Sequence, residues 1–411
     1  MTKKPHPFPL FDNMDSLMGP ISTWHERYFA TLGDKTRQEY QLATRFLLSY
    51  QGSLDTFTSY RREVERLCQW TWLHKKQSLK SVQRDDIAEY LRFVQDPPNS
   101  WVSHKHAPRF ITGDDGSRVP SADWRPFLQR KKISQHSREE KSPMQQASLR
   151  AVIASVSTFY TYLLQEGYVE KNPVILLRQK SQIIQKRQQT RITRKLTQTQ
   201  WETMIKQVAE KANVEANYER HLFALSAFYL LGVRISELSE TPGRNPTMRD
   251  FTRDHDGLWW FHTVGKGNKV REVAVPDAMM TALARFRQYL GLQRYPSPSE
   301  GTPIIPKQRG VGGIGVRQLR KTVQEAFDLA INTLEAQGEQ EEASHMRHAT
   351  VHWLRHTAIS YDVNHRPREH VRDDAGHQSI QITDRYIDVD IKARHESAKK
   401  KVLLDSHKEL L

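Results

Sequence analysis

Thr350-Val-His-Trp-Leu-Arg-His-Thr357 is the stretch on which the reading of this chain turns. On a helix, His352, Arg355 and His356 fall at i, i+3 and i+4 and share a face, while Trp353 and Leu354 point elsewhere. Two histidines four apart can ligate zinc, but the glutamate that acts as general base in the zinc-protease pattern is absent. A guanidinium and an imidazole presented together suit a phosphate: Arg brings bidentate charge, His moves a proton. A structural helix with hydrogen-bonded core histidines would show the same spacing.

Three other segments flank it. Upstream, an apolar helix within Leu222 to Glu240 breaks at Gly232 and resumes as Val233-Arg-Ile-Ser-Glu-Leu238. Arg234 and Glu237 then share a helical face, the spacing of an ordinary surface ion pair. Next, Leu258 to Val264, Gly265-Lys-Gly-Asn268 and Val270 to Val275 read as strand, turn, strand. Glycines on both sides of Lys266 leave that lysine on a projecting arm. Downstream, Gly376-His377 is followed nine residues on by Tyr386, the only tyrosine after His377. Each segment alone is weak, since turn lysines and late aromatic residues are common.

The whole chain narrows the partner. It has 411 residues, with 62 Lys+Arg against 47 Asp+Glu and a net charge of +15. That length predicts two or more domains. No run of 18 apolar residues exists, so a transmembrane helix is excluded, and the start lacks the apolar core of a secretory signal. A single cysteine, Cys68, permits neither an internal disulfide nor a CxxC zinc pair. The composition predicts an intracellular protein with a polyanionic partner. Nucleic acid fits better than a membrane surface, because no basic amphipathic anchor stands out.

Apolar spacing predicts helices from about Thr36 to Gly52 (Tyr40, Ala43, Phe46, Leu47), around Tyr60 to Trp72, over Asp85 to Phe93, and after Pro143 to Gly167. Residues 1–25 read as a flexible, proline-rich arm. Residues 96–145 read as a surface loop inserted in a helical unit, with a small hairpin over Asp115-Gly116. Arg178 to Lys195 holds seven Lys/Arg and no acid, the pattern of a solvated linker or of one lying on phosphates. The acidic stretch Glu335 to Glu342 reads as a surface insertion.

Taken in order, Arg234, Lys266, His352-x-x-Arg355, His377 and Tyr386 in a basic chain resemble the tyrosine recombinase (phage integrase) family. The matching stretches are Gly232 to Leu238, Gly265 to Lys269 with Arg271 and Val275-Pro276, His352 to Thr357, and Gly376 to Ile380 through Tyr386. The resemblance spans about Leu196 to Asp390. Two departures stand out: Leu231 where the family commonly has Thr, and Asp373-Asp374-Ala375 where apolar residues usually precede the glycine.

The resemblance implies a mainly α protein. A helical, SAM-like core-binding domain would occupy 26–177, and a mixed, mostly helical catalytic domain with a small β-hairpin or sheet would occupy 196–390. A basic linker would run over 178–195, and the 391–411 tail would dock on a neighbouring subunit. Tyr386 would be the nucleophile, giving a 3′-phosphotyrosyl link. Arg234, Arg355 and His377 would stabilise the phosphate, Lys266 would protonate the leaving 5′-oxygen, His352 would assist proton transfer, and Glu237 would orient a neighbour. Lys186, Arg187, Arg191, Arg194, Lys195, Lys269 and Arg271 would contact DNA.

No metal, cofactor or ATP is implied. The partners would be double-stranded recombination sites, three further copies of the chain around a Holliday junction, and accessory DNA-bending or directionality proteins. No membrane is implied, and the location would be cytoplasmic, at the nucleoid. Competing readings are a non-catalytic DNA-binding regulator on the same scaffold, a topoisomerase-like strand transferase, and a metal-dependent nuclease.

Overall fold

The computed structural model describes residues 7–113, 116–129, 146–175, 194–265, 269–377 and 379–384. The chain divides into two compact units, 1–188 and 189–411. The protein is mainly α with small sheets, as expected. Among the described residues no helix is long and apolar enough to cross a membrane.

The first unit contains α1 (Met14–Met18), α2 (Thr23–Ala30), α3 (Asp34–Leu48), α4 (Leu54–Gln69), α5 (Arg84–Gln95) and α6 (Gln146–Gln165). The 3.6-residue periodicity is realised: Tyr40, Ala43, Phe46 and Leu47 of α3 are all buried. Phe46 meets Phe159 of α6 with ring centroids 5.1 Å apart. A π-helical turn, Trp70–Lys75, extends α4 and buries Trp70 and Trp72.

Two expectations for this unit need correction. Residues 7–25 are not an arm. Leu10 and Phe11 are fully buried, and their backbone amides donate to the buried Glu65 carboxylate at 2.5 and 3.3 Å. Prolines restrict the unfolded chain, so ordering an extended apolar pair beside them costs little entropy. Nor are the described residues of the 96–145 segment, up to 129, a plain loop. The expected hairpin forms between β2 (Phe110–Thr112) and β3 (Arg118–Pro120), and β1 (Val102–Ser103) pairs in parallel with β4 (Phe127–Leu128). Trp101, Phe110, Trp124 and Phe127 are buried, so the insert has its own apolar anchors.

In the second unit, α7 (Gln198–Val214) starts at a Thr197/Gln200 capping box. It is followed by α8 (Glu219–Leu231), α9 (Ile235–Leu238), a three-stranded antiparallel sheet β5 (Phe251–Arg253), β6 (Trp259–Val264), β7 (Val270–Ala274), and α10 (Asp277–Tyr289). The chain ends its described part with α11 (Val316–Ala336), α12 (Gln340–Met346), α13 (Val351–His365), α14 (Arg368–Ala375) and α15 (Ile380–Asp384). Helix α8 is apolar nearly all round. Phe223, Ala224, Leu225, Ala227 and Phe228 are buried, and it packs against α7, α10, α11 and α13.

The acidic stretch 335–342 lies mostly on the surface, as expected, where α11 gives way to α12. Glu342 accepts from Thr197 Oγ1 at 2.8 Å, and its carbonyl accepts from Gln200 Nε2 at 2.9 Å.

Candidate active site

Three chain reversals build the site. At the first, α8 ends on Gly232, whose φ of +56° is costly for any residue with a Cβ. Arg234 follows in extended conformation (φ −81°, ψ 152°), as the residue capping α9. The expected shared helical face is therefore not what joins Arg234 to Glu237. Glu237 folds back so that its Oε2 accepts from the Arg234 backbone N–H at 2.6 Å and its Oε1 from Arg234 Nη1 at 3.1 Å. This is no surface pair, since the Glu237 side chain is 0% exposed.

The second reversal is the sheet. In the register Thr263↔Arg271, the Arg271 side chain lies on the same face as buried Val273 and is only 9% exposed. Its Nη2 donates to Glu237 Oε2 at 2.7 Å and its Nη1 to the Asp374 carbonyl. Burial lowers its pKa, against the opposing pull of Glu237. Arg271 was expected on DNA; the structure spends it inside the site instead. At the strand end, Arg244 donates to Val264 O at 2.6 Å and Thr263 Oγ1 at 2.9 Å, fixing the approach to the hairpin tip. Nothing in the sequence singles this residue out. A Cβ on Gly265 would lie 3.4 Å from Arg234 Nη1 and 3.6 Å from Glu237 Oε1, so the base of the hairpin abuts the Arg234–Glu237 pair.

The third reversal ends α14 at Gly376 (φ +62°), where a Cβ would fall 2.8 Å from Arg271 Cδ. His377 follows, with Nδ1 and Thr383 Oγ1 sharing a hydrogen bond at 2.9 Å. Asp374, out of place by the family pattern, has a polar use: it accepts from Ala274 N at 3.2 Å and from Arg366. Ala375 supplies the buried apolar contact beside it.

Helix α13 spans the gap between the first and third corners. Arg355, 4% exposed, donates through Nη1 to Gly232 O and through Nη2 to Ala375 O at 2.6 Å. On the same helix face, His352 is exposed and His356 half-buried, their rings 5.4 Å apart and nearly perpendicular. Thr357 Oγ1, one residue on, accepts from the Leu196 N–H at 2.9 Å, which ties the start of the unit to this helix.

These cations act on the imidazoles. Burial, then Arg355 and Arg234, push His377 down to about 4. Burial, then His352 and Arg355, bring His356 to about 4. His352 is lowered by burial, Arg355, Arg234 and Arg194. All three are neutral at pH 7. Arg194, expected on DNA, is thus felt at both α13 histidines.

Residues 194–392 match the phage integrase family. The second unit is a phage integrase, or tyrosine recombinase, domain. A search of curated protein sequences finds no match. Among solved structures the chain is similar to the XerH site-specific recombinase bound to palindromic difH substrate. That likeness has 15% identity and a TM-score of 0.55, covering 96% of this chain and 99% of that one. The Tn1549 transposon integrase with a circular intermediate DNA is similar at 15% identity, 87% and 98% coverage, and TM-score 0.53. A lambda integrase (75-356) dimer on a COC' core site is similar at 14%, 85% and 95%, and 0.51. At these identities the likeness is one of fold.

The integrase domain groups Arg234, Glu237, His352, Arg355 and His377 around one guanidinium bridge, and adds Arg271 and Arg244. Lys269 is exposed beyond the sheet, and Lys195 is half-buried beside Leu196. Lys266, Tyr386, Lys186, Arg187, Arg191 and the 391–411 tail lie outside the described residues. Among the described residues, no group of three His, Cys, Asp or Glu is arranged to hold a metal ion. The chemistry available here is fixed positive charge with neutral imidazoles beside it.

Proposed function

We propose that the protein is a site-specific recombinase that cuts and rejoins DNA strands through a covalent 3′-phosphotyrosyl intermediate. The observation that carries the reading is Arg355, whose guanidinium joins the Gly232 and Ala375 corners and so gathers Arg234 and His377 about one point.

Phosphodiester exchange without an energy source requires the bond energy to be held covalently. The Tyr386 hydroxyl attacks phosphorus, its proton passing toward His352. The bond from phosphorus to the 5′-oxygen breaks, and Lys266 supplies that oxygen's proton. The added negative charge on the non-bridging oxygens is met by Arg234 and Arg355, with His377 donating an N–H as a neutral imidazole. Glu237, held between Arg234 and Arg271, keeps the first guanidinium in place. Because fixed guanidinium groups supply the charge, the reaction is expected to run in EDTA. Exchange of four strands then requires four subunits on two duplexes and a Holliday junction, with the 26–177 domain and the basic linker gripping the DNA.

The test uses labelled duplexes from the ends of the locus, nicked just beyond candidate cleavage positions so that the cut fragment diffuses away. In EDTA, the unaltered protein should give a protease-sensitive, denaturant-stable adduct, and Tyr386→Phe none. DNA binding by both proteins without an adduct from either would leave the binding-only regulator as the better reading.

A further inference from the structure

The two positions that depart from the family pattern meet at one spot. Leu231, the last residue of α8, and Asp374, near the end of α14, line the same cavity of about 10 Å³. Gly232, Ala274, Asp362 and Arg366 line it with them. It has room for no more than about one water. A carboxylate set beside an apolar side chain in so tight a place has to be satisfied by protein donors.

Residue 374 is held from three sides. β7 is the outer strand of its sheet, and successive N–H groups along a strand point to opposite sides. Val275 N donates back to Trp259 O at 3.0 Å, so Ala274 N faces outward, away from β6. Its acceptor is Asp374 Oδ1 at 3.2 Å. The other carboxylate oxygen accepts from Arg366 Nη2, and Arg366 also reaches Asp362 at 3.3 Å. The Asp374 backbone carbonyl accepts from Arg271. A peptide caught by Arg271 alone could pivot about that point. The carboxylate adds one hold from the sheet edge and another from the residue that follows α13.

The next carbonyl along the chain is that of Ala375, on which Arg355 Nη2 rests at 2.6 Å. With Nη1 on Gly232 O, the Arg355 guanidinium is aimed by where these two carbonyls lie. We propose that Asp374 is a positioning residue for Arg355. Its carboxylate fixes the Ala375 carbonyl, and with it the direction from which the guanidinium meets the scissile phosphate. The proposal rests on the recombinase reading, in which Arg355 meets the non-bridging oxygens. An apolar side chain at 374 would fill the same space, but it gives the Ala274 N–H no acceptor and leaves Arg366 to Asp362.

The experiment follows single-turnover adduct formation by the full chain on the nicked duplexes, with protein from below to far above half-saturation. It reads the rate constant, the half-saturating concentration and the amplitude separately. Asp374→Leu should lower the rate constant at saturation by about 10²-fold, the scale of a small misplacement, with half-saturation and amplitude unchanged. A reduced amplitude with an unchanged rate constant would mean lost folded protein only, and overturns the proposal. Arg366→Gln alters a side chain that is 33% exposed and releases the same carboxylate. It should slow the reaction in the same way even where Asp374→Leu does not fold. In an Arg355→Ala background either change should alter the rate by less than about threefold, because the group being aimed is gone. Losses that multiply in that background overturn the proposal. A missing adduct from the unaltered protein sinks the recombinase reading and this role with it. An adduct from the unaltered protein, matched at full rate by both variants, sinks the role of Asp374 alone.

Discussion

Two glutamates among the described residues have no exposure at all, Glu39 in the first unit and Glu237 in the second, and they are satisfied in opposite ways. Glu39 of α3 accepts only from neutral groups: Trp72 Nε1 at 2.6 Å, Ser78 Oγ at 2.6 Å, Leu79 N at 2.7 Å and Tyr168 OH at 2.6 Å. Glu237 sits between two guanidinium groups, those of Arg234 and Arg271. In the first unit the carboxylate knits α3 to the segment after α4 and to the end of α6, and its charge goes no further. In the second, one negative charge holds two positive ones in fixed places, so the pair keeps a net positive charge. A buried acid among neutral donors is cement; among cations it is a mount for charge.

If that contrast is right, the largest effect belongs to the cations. Arg355→Ala should lower the rate of adduct formation by about 10²–10³ or more while DNA binding persists. Cleavage within tenfold of the unaltered rate would break the comparison.

Next come the partners of Glu237. Arg271→Gln leaves a buried carboxylate half-paired, and should destabilise the second unit by about 3–5 kcal/mol in denaturant titrations. It should also slow cleavage without changing the salt slope of DNA binding. A slope shallower by about 0.9 would instead put Arg271 on a phosphate. Adding Glu237→Gln should cost much less than the single changes predict, as expected for one network.

Glu39→Gln sharpens the other side. It sets an amide N–H₂ against donors, and should cost about 1–3 kcal/mol of stability in the first unit, with adduct chemistry unaffected wherever the chain is folded. Altered cleavage in folded Glu39→Gln would mean that the two glutamates do not differ in role. Gly232→Ala is smaller, about 1–2 kcal/mol. A Cβ would meet only ordinary contacts at 3.8 Å, so the cost is the positive φ alone.

The last prediction is in pH. The folded pKa of His377 and His356, about 4, lies below the unfolded value of 6.5. The unfolded chain therefore binds more protons in that window, and stability is fully present above pH 6.5 and lost as pH falls toward 4. Urea midpoints at pH 7 and pH 5 should show this, and His377→Gln should reduce the difference, His356 supplying the rest. Histidine NMR titrations with midpoints near 6.5 would refute it.

The order of motifs and the helix pattern were legible because buried helix faces repeat every 3.6 residues. Geometry at the corners was less so. The spacing of Arg234 and Glu237 was right and its meaning wrong, because a positive φ at Gly232 moves Arg234 out of the helix. The burial of Arg271 was in principle readable: two residues before Val273 on an alternating strand, it must share Val273's face. Its charge argued for solvent, and register prevailed. The opposite error occurred at the N-terminus, where prolines masked the apolar pair Leu10-Phe11. β5 is three residues long, too short for any alternation to show.

The bond between His377 and Thr383 has a consequence for timing. Thr383 precedes the proposed nucleophile, Tyr386, by three residues. A movement that carries Tyr386 toward or away from phosphorus and drags α15 with it must stretch or release that 2.9 Å link. In the proposed reaction, advancing the tyrosine and keeping or breaking this bond to the imidazole then become one event.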